Sequence, residues 1–168
     1  MAGALTRVLT GRYPQMTAVE IDQRAVAFLN DKLPKLKVIH QDVLQFSYDS
    51  HIKSLNLPEN STVSIVANLP YGIVSQVLFA LADTHTSIDV AVVTMQWEVG
   101  DRICARPNTK TYGIPSVIFQ LYADCRIAFK IPPTVFYPVP KVDSALLRID
   151  FTKPHKDLKT VYPEQLRK

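Results

Sequence analysis

The sequence predicts an α/β fold: a doubly wound, mostly parallel sheet whose last two strands form an antiparallel hairpin. Three observations predict it. Short β-branched apolar runs alternate with segments whose apolar residues recur every three or four positions, the pattern of strands joined by crossover helices. The run Val63-Ser64-Ile65-Val66-Ala67 breaks at once into Asn68-Leu69-Pro70-Tyr71-Gly72 and then into helical spacing, the strand, loop and helix step of an open sheet. The last two apolar runs, 125–131 and 144–151, are separated by proline-rich residues 132–140 without helical pattern, so they pair as a hairpin at one edge.

The elements follow in order. Residues 3–12 read as a helix, with Leu5, Val8 and Leu9 apolar and Gly11 at its end. Thr17-Ala18-Val19-Glu20-Ile21 is a strand, and Asp22 stands where a cap belongs for a helix over 22–32. Residues 37–41 form the next strand, which ends at Asp42. A polar stretch with Asn56, Pro58, Glu59 and Asn60 leads to the run at Val63, whose composition suits a strand covered on both faces. Pro70 has no N–H and pushes Leu69 out of the helical region, so that strand stops at about Asn68. Ile73, Val74, Val77, Leu78 and Leu81 carry a helix to about Ala82. A strand over 89–95, a short helix over 97–105, a loop over 106–113 and a helix near 115–122 complete the chain before the hairpin. The tail from Thr152 is basic, contains proline and reads as loose.

Composition narrows the function classes. At 168 residues the chain is long enough for one domain with a real core. No apolar run has the length of a membrane span, and the first residues have no secretory-signal pattern. Cys104 and Cys125 lack metal-ligand spacing and read as packed, reduced thiols. Charge is unevenly shared: residues 1–96 hold 7 Lys/Arg against 8 Asp/Glu, and residues 97–168 hold 12 against 7. A basic second half suits a phosphate-bearing partner, and it equally suits a solvated surface.

The loop at Asn68 can do specific chemistry. The Asn68 side chain offers a carbonyl acceptor, and Leu69 offers a backbone carbonyl followed by a residue without an N–H. Two acceptors aimed at one point suit an exocyclic amino group such as N6 of adenine. Tyr71 adds a flat face for a base. Read alone, the tetrapeptide reads first as a surface turn with Tyr71 as packing. Glu20 and Asp42 end two successive strands, where one carboxylate can bind ribose hydroxyls and the other an adenine amino group; each alone could be a helix cap or loop acid. The predicted topology puts both at the same sheet end as Asn68.

At this point the residues resemble a known family. Val19-Glu20-Ile21-Asp22, Gln41-Asp42-Val43-Leu44 and Asn68-Leu69-Pro70-Tyr71 resemble motifs of the small-subunit ribosomal RNA adenine dimethyltransferases. So do Gln96-Trp97-Glu98-Val99-Gly100-Asp101-Arg102, the stretch from Pro107 to Gly113, and the stretch from Val135 to Ala145. The likeness runs over about residues 2–151, in order. Methylases of large-subunit RNA share the architecture, but Pro138-Val139-Pro140-Lys141-Val142-Asp143-Ser144 fits the small-subunit branch better. A DNA adenine methyltransferase would carry proline where Leu69 stands.

The resemblance implies a Rossmann-like fold and an S-adenosylmethionine-dependent transfer of methyl groups to N6 of two adjacent adenosines near the 3′ end of small-subunit rRNA. It places Asn68, Leu69, Pro70, Tyr71 and Phe136 at the target base, with Tyr71 and Phe136 stacking on it. It places Gly3, Leu5, Glu20, Ile21, Asp42, Val43 and Asn68 at the cofactor, Glu20 on the ribose and Asp42 with Val43 on the adenine ring. Arg102, Arg106, Lys110 and Lys141 form an expected phosphate track, and each singly is also an ordinary surface cation. The implied partner is small-subunit rRNA in a pre-30S-type particle. A monomer without membrane attachment is expected, in bacterial cytoplasm or an organelle of bacterial origin.

The chain departs from the family's pattern in three places. Of a glycine-rich loop after a first strand, only Gly3-Ala4-Leu5-Thr6 remains. A helical second domain is expected to begin near Pro163. Trp97 stands where relatives usually carry a basic residue. These departures read as a fragment lacking the sheet's first strand, with residues 1–151 a partial catalytic domain and 152–168 a linker. On that reading residues 1–168 alone bind S-adenosylmethionine poorly and lack a stable fold. The alternative is a ribosome-assembly protein that keeps the fold and RNA binding without catalysis.

Overall fold

The computed structural model describes residues 3–159; the expected domain start near Pro163 lies outside them. The chain forms two compact units, Met1–Ser47 and Tyr48–Lys168. Among the described residues, no helix is long and apolar enough to cross a membrane.

The first unit is helix α1 (Ala4–Thr10), strand β1 (Thr17–Glu20), helix α2 (Gln23–Lys32) and strand β2 (Lys37–His40). The strands pair in parallel, Thr17 opposite Lys37 and Glu20 opposite His40. Asp22 caps α2 as its sequence position predicts, accepting a hydrogen bond from the Arg24 backbone N–H at 2.8 Å. Gly3 caps the start of α1 in the left-handed region, at φ 76°, the backbone conformation that calls for glycine; a Cβ there would also lie 3.1 Å from Leu29 Cδ2.

The second unit contains α3 (Tyr48–Ser54), β3 (Ser64–Asn68), a 3₁₀ turn (Tyr71–Ile73), α4 (Val74–Asp83), β4 (Val90–Gln96), α5 (Trp97–Ile103), α6 (Ile114–Tyr122), β5 (Asp124–Ile131) and β6 (Ser144–Asp150). Its sheet has the order β3-β4-β6-β5. β3 and β4 are parallel, and β6 runs antiparallel to both β4 and β5. Hence β3, β4 and β5 share one direction. The hairpin closes one end of the sheet as expected, with β5 at the edge and β6 inside it. A bulge between Ile127 and Phe129 adds one residue to β5.

One face of this sheet makes the core. Ala91, Val93 and Met95 of β4 are fully buried, as are Ala145, Leu147 and Ile149 of β6. Val77, Leu78 and Leu81 of α4, Ile103 of α5 and Phe119 of α6 are buried too, with Phe79 and Phe119 rings 5.3 Å apart between α4 and α6. Gly100 allows close approach: a Cβ there would stand 3.0 Å from Ala145 Cβ, so α5 packs directly on β6.

Three expectations need correction. β3 is not covered on both faces: its burial alternates along the strand and Val66 is 40% exposed, so only one face is packed, and among the described residues β3 is an edge strand beside β4. Helix α3 has no counterpart among the elements expected from the sequence, because its face is mixed polar and holds one buried residue, Tyr48. The tail's first part is not loose. Its His155 N–H donates to the Leu121 carbonyl at 3.0 Å, and a 3₁₀ turn follows at Lys156–Lys159.

Cys104 and Cys125 are free thiols. Burial pushes Cys104 up to about 11 and Cys125 up to about 12, so both stay protonated and unreactive at neutral pH.

Candidate active site

In the first unit, the two carboxylates stand at the carboxyl ends of adjacent parallel strands. Glu20 ends β1, and its Oε1 accepts from the backbone N–H groups of Ile21 and Asp22 at 2.8 and 2.9 Å. That fixes the side chain and leaves Oε2 to accept elsewhere. The Glu20 carbonyl takes the Gln41 N–H at 3.0 Å, and His40 Nε2 lies 3.0 Å from the Ile21 carbonyl, so the two strand-end loops are tied together. Asp42 Oδ1 accepts from Leu44 N–H at 2.9 Å, an Asx turn that leaves Oδ2 open. Val43 is half-buried and Ile21 exposed. This set of acceptors fits a nucleoside: one carboxylate oxygen for a vicinal diol, one for an exocyclic amine, and an apolar side chain beside it.

In the second unit, Asn68 is the last residue of β3 and stands directly opposite Thr94 of β4. Thr94 Oγ1 lies 2.6 Å from Asn68 Oδ1 and 3.2 Å from the Ala67 carbonyl. Leu69 is half-buried and Pro70 exposed. The Pro70 carbonyl accepts from the Ile73 N–H at 3.1 Å, so the loop turns tightly into the 3₁₀ segment and then α4. Tyr71 is anchored by its hydroxyl, which lies 2.6 Å from Oγ of Ser144, a fully buried residue at the start of β6. The loop is thus held near both ends, by β4 and by β6, and the Leu69 carbonyl is left facing no N–H of residue 70.

Phe136 is half-buried, with its backbone N–H donating to the Pro133 carbonyl at 3.1 Å. It makes no ring-to-ring contact with Tyr71 among the described residues. The four expected RNA-contacting cations, Arg102, Arg106, Lys110 and Lys141, are all exposed. Arg102 pairs with Glu98 one turn earlier at 3.3 Å. Arg106 and Lys110 flank a turn closed by Thr109, whose hydroxyl and N–H both bond the Arg106 carbonyl, with Asn108 at φ 65°.

Three residues of this neighbourhood were not singled out by the sequence. Thr94 is the one hydroxyl in β4, whose other residues up to Met95 are apolar. Ser144 lay inside a family motif without a role. Lys130 gave no signal: its ammonium lies 5.2 Å from the Trp97 ring centroid and 2.7 Å from Asp143, so a cation does stand beside position 97, supplied by β5.

The sequence and fold of this chain are similar to those of known proteins. The family model "Ribosomal RNA adenine dimethylase" matches residues 2–163. Ribosomal RNA small subunit methyltransferase A from Streptococcus pneumoniae serotype 2 is 43% identical over 150 residues, which are 88% of this chain and 51% of that protein. The protein of the same name from Streptococcus equi subsp. zooepidemicus is 42% identical over the same share. The chain therefore spans about half the length of these relatives. Among solved structures, 23S rRNA methyltransferase ErmE superposes with a TM-score of 0.75 at 26% identity, covering 99% of this chain and 63% of that one. A dimethyladenosine transferase from Plasmodium falciparum gives 0.78 at 18% identity, covering 97% and 57%. The α/β architecture is that of the methyltransferases.

Proposed function

We propose, from the premise that this chain belongs to the ribosomal RNA adenine dimethylase family, that it carries the adenosine-gripping and nucleoside-binding residues of an rRNA adenine N6,N6-dimethyltransferase. The substrate is two adjacent adenosines near the 3′ end of small-subunit rRNA. The partner is a pre-30S-type particle in the bacterial cytoplasm, met by a monomer. Residues 1–151 belong to the catalytic domain, and 152–168 begin the connection beyond it. The observation that carries the reading is the Asn68-Leu69-Pro70-Tyr71 loop at the end of β3, with its two acceptors and a hydroxyl-anchored aromatic ring.

The cofactor is S-adenosylmethionine, which supplies a methyl group on a sulfonium. Glu20 Oε2 holds the ribose hydroxyls, Asp42 Oδ2 accepts from the adenine amino group, and Val43 packs on the ring. Ile21, Gly3 and Leu5 complete the cofactor contacts. Asn68 Oδ1 and the Leu69 carbonyl accept the two N–H groups of the target amine. This matters because the adenine amino lone pair is delocalised into the ring. Holding both protons out of the ring plane favours a tetrahedral nitrogen with its lone pair free. Positioning of this kind supplies much of the rate. Extruding the base costs a few kcal/mol, which stacking on Tyr71 and Phe136 offsets at about 1–3 kcal/mol per base.

The test is Asn68→Ala in the complete gene product that carries this chain. Methyl transfer to small-subunit rRNA should be lost, with RNA binding retained within about twofold. Collapse of both would mean that Asn68 is not the acceptor for the target amine. RNA binding by the unaltered protein without any methyl transfer would favour the assembly-factor reading.

A further inference from the structure

We propose that Thr94 is a positioning residue for Asn68: it decides which end of the Asn68 amide faces the target amino group. The inference rests on Asn68 acting as an acceptor for that amine. Asn68 is exposed, and among the described residues its side chain has no hydrogen-bond partner except Thr94. An asparagine held only by its backbone turns broadly about its last torsion. An amide has two unlike ends, and only the oxygen can accept from an amine; the NH₂ end would meet it donor to donor.

Thr94 resolves this through register and through its single proton. Asn68 and Thr94 are direct partners across the parallel pair β3 and β4, so their side chains share a face and stand side by side. The Thr94 branch at Cβ restricts χ1 and so holds its oxygen in place, while the O–H hydrogen remains free to turn. Its oxygen lies 2.6 Å from the amide and 3.2 Å from the Ala67 carbonyl, yet it has one hydrogen for two acceptors. Donated to Asn68 Oδ1, that hydrogen uses one lone pair of the oxygen the substrate needs. Donated to the Ala67 carbonyl, it frees the Thr94 lone pairs to accept from Asn68 Nδ2, and a half-turn of the amide then points Oδ1 outward with both lone pairs available. Arrival of an amino group selects the second arrangement. The hydrogen stays on Thr94 Oγ1 throughout: the Ala67 carbonyl is its alternative acceptor, and turning the O–H toward it converts Thr94 from donor to acceptor for the amide. Serine at 94 would keep a hydroxyl that can both donate to the carbonyl and accept from the amide, and valine would keep the shape with neither capacity.

The test compares Thr94→Val, which keeps the shape and removes the hydroxyl, with Thr94→Ser, which keeps the hydroxyl. Both are made in the complete gene product, with kcat and KM for small-subunit rRNA measured at saturating S-adenosylmethionine. Loss of one hydrogen bond made in the transition state predicts a kcat about tenfold lower for Thr94→Val, KM within about twofold, and recovery to within about threefold for Thr94→Ser. An unchanged kcat in Thr94→Val would overturn the proposal, as would equal impairment of both variants, which would assign the effect to the altered packing. The two readings separate cleanly. If Asn68→Ala is inactive while Thr94→Val is normal, the role of Thr94 alone fails. If Asn68→Ala is active, the role of Asn68 fails and that of Thr94 falls with it.

Discussion

The hydroxyl of Tyr71 meets the hydroxyl of Ser144 at 2.6 Å, across 73 positions of sequence. One partner is half-buried in the loop after β3; the other is fully buried at the start of β6. The loop after β3 is therefore fastened to the sheet's interior by the polar tip of its aromatic side chain, which leaves the ring's faces unconstrained by that bond.

The asymmetry of burial makes an unequal pair of mutations. Tyr71→Phe leaves the Ser144 hydroxyl buried without its partner and should cost about 1–3 kcal/mol. Ser144→Ala leaves without its partner the hydroxyl of a residue that is only half-buried, and should cost less. The double variant should lie nearer Ser144→Ala than the sum of the two. Urea unfolding of the three variants checks the order; equal costs for the single variants would mean that the bond is not formed in solution.

Asp150 predicts the acid limb of stability. Its carboxylate is buried at the end of β6 and accepts from the Thr152 hydroxyl and N–H and from Arg148, 3.0 Å away. The Thr152 hydroxyl, with Arg148 beside it, holds Asp150 down from 3.8 to about 2. A depressed carboxylate stabilises the fold fully above its ordinary value and loses that contribution as pH falls through the lowered one. Melting temperature should therefore decline between about pH 4 and about pH 2, and Asp150→Asn should flatten that decline while lowering stability at neutral pH. The same slope in both proteins would show that other carboxylates control the acid limb.

The exposed cations make a salt-dependent prediction. Replacing Arg106, Lys110 and Lys141 together with alanine should weaken binding to small-subunit rRNA about equally across hairpin sequences. It should also reduce the slope of log affinity against log salt by roughly 0.7 for each phosphate no longer neutralised. Arg102, paired with Glu98, should contribute less than the other three. An unchanged slope would place the RNA elsewhere.

Much of this molecule was written locally. Strand–helix alternation, the Asp22 cap, the break at Pro70 and the hairpin all follow from side-chain period, a missing N–H or a short polar side chain beside a helix start, interactions spanning a few residues. The same is true of Glu20, Asp42 and Asn68 at strand ends, since a strand's end is marked in its own sequence. Only the tertiary structure decided that β6 lies between β4 and β5, that β3 is an edge, that Thr94 stands beside Asn68 and that Ser144 holds Tyr71. Those facts depend on which strands pair and in what register. Pairing energy comes from distant residues meeting on one face, so a reading of neighbours along the chain cannot supply it.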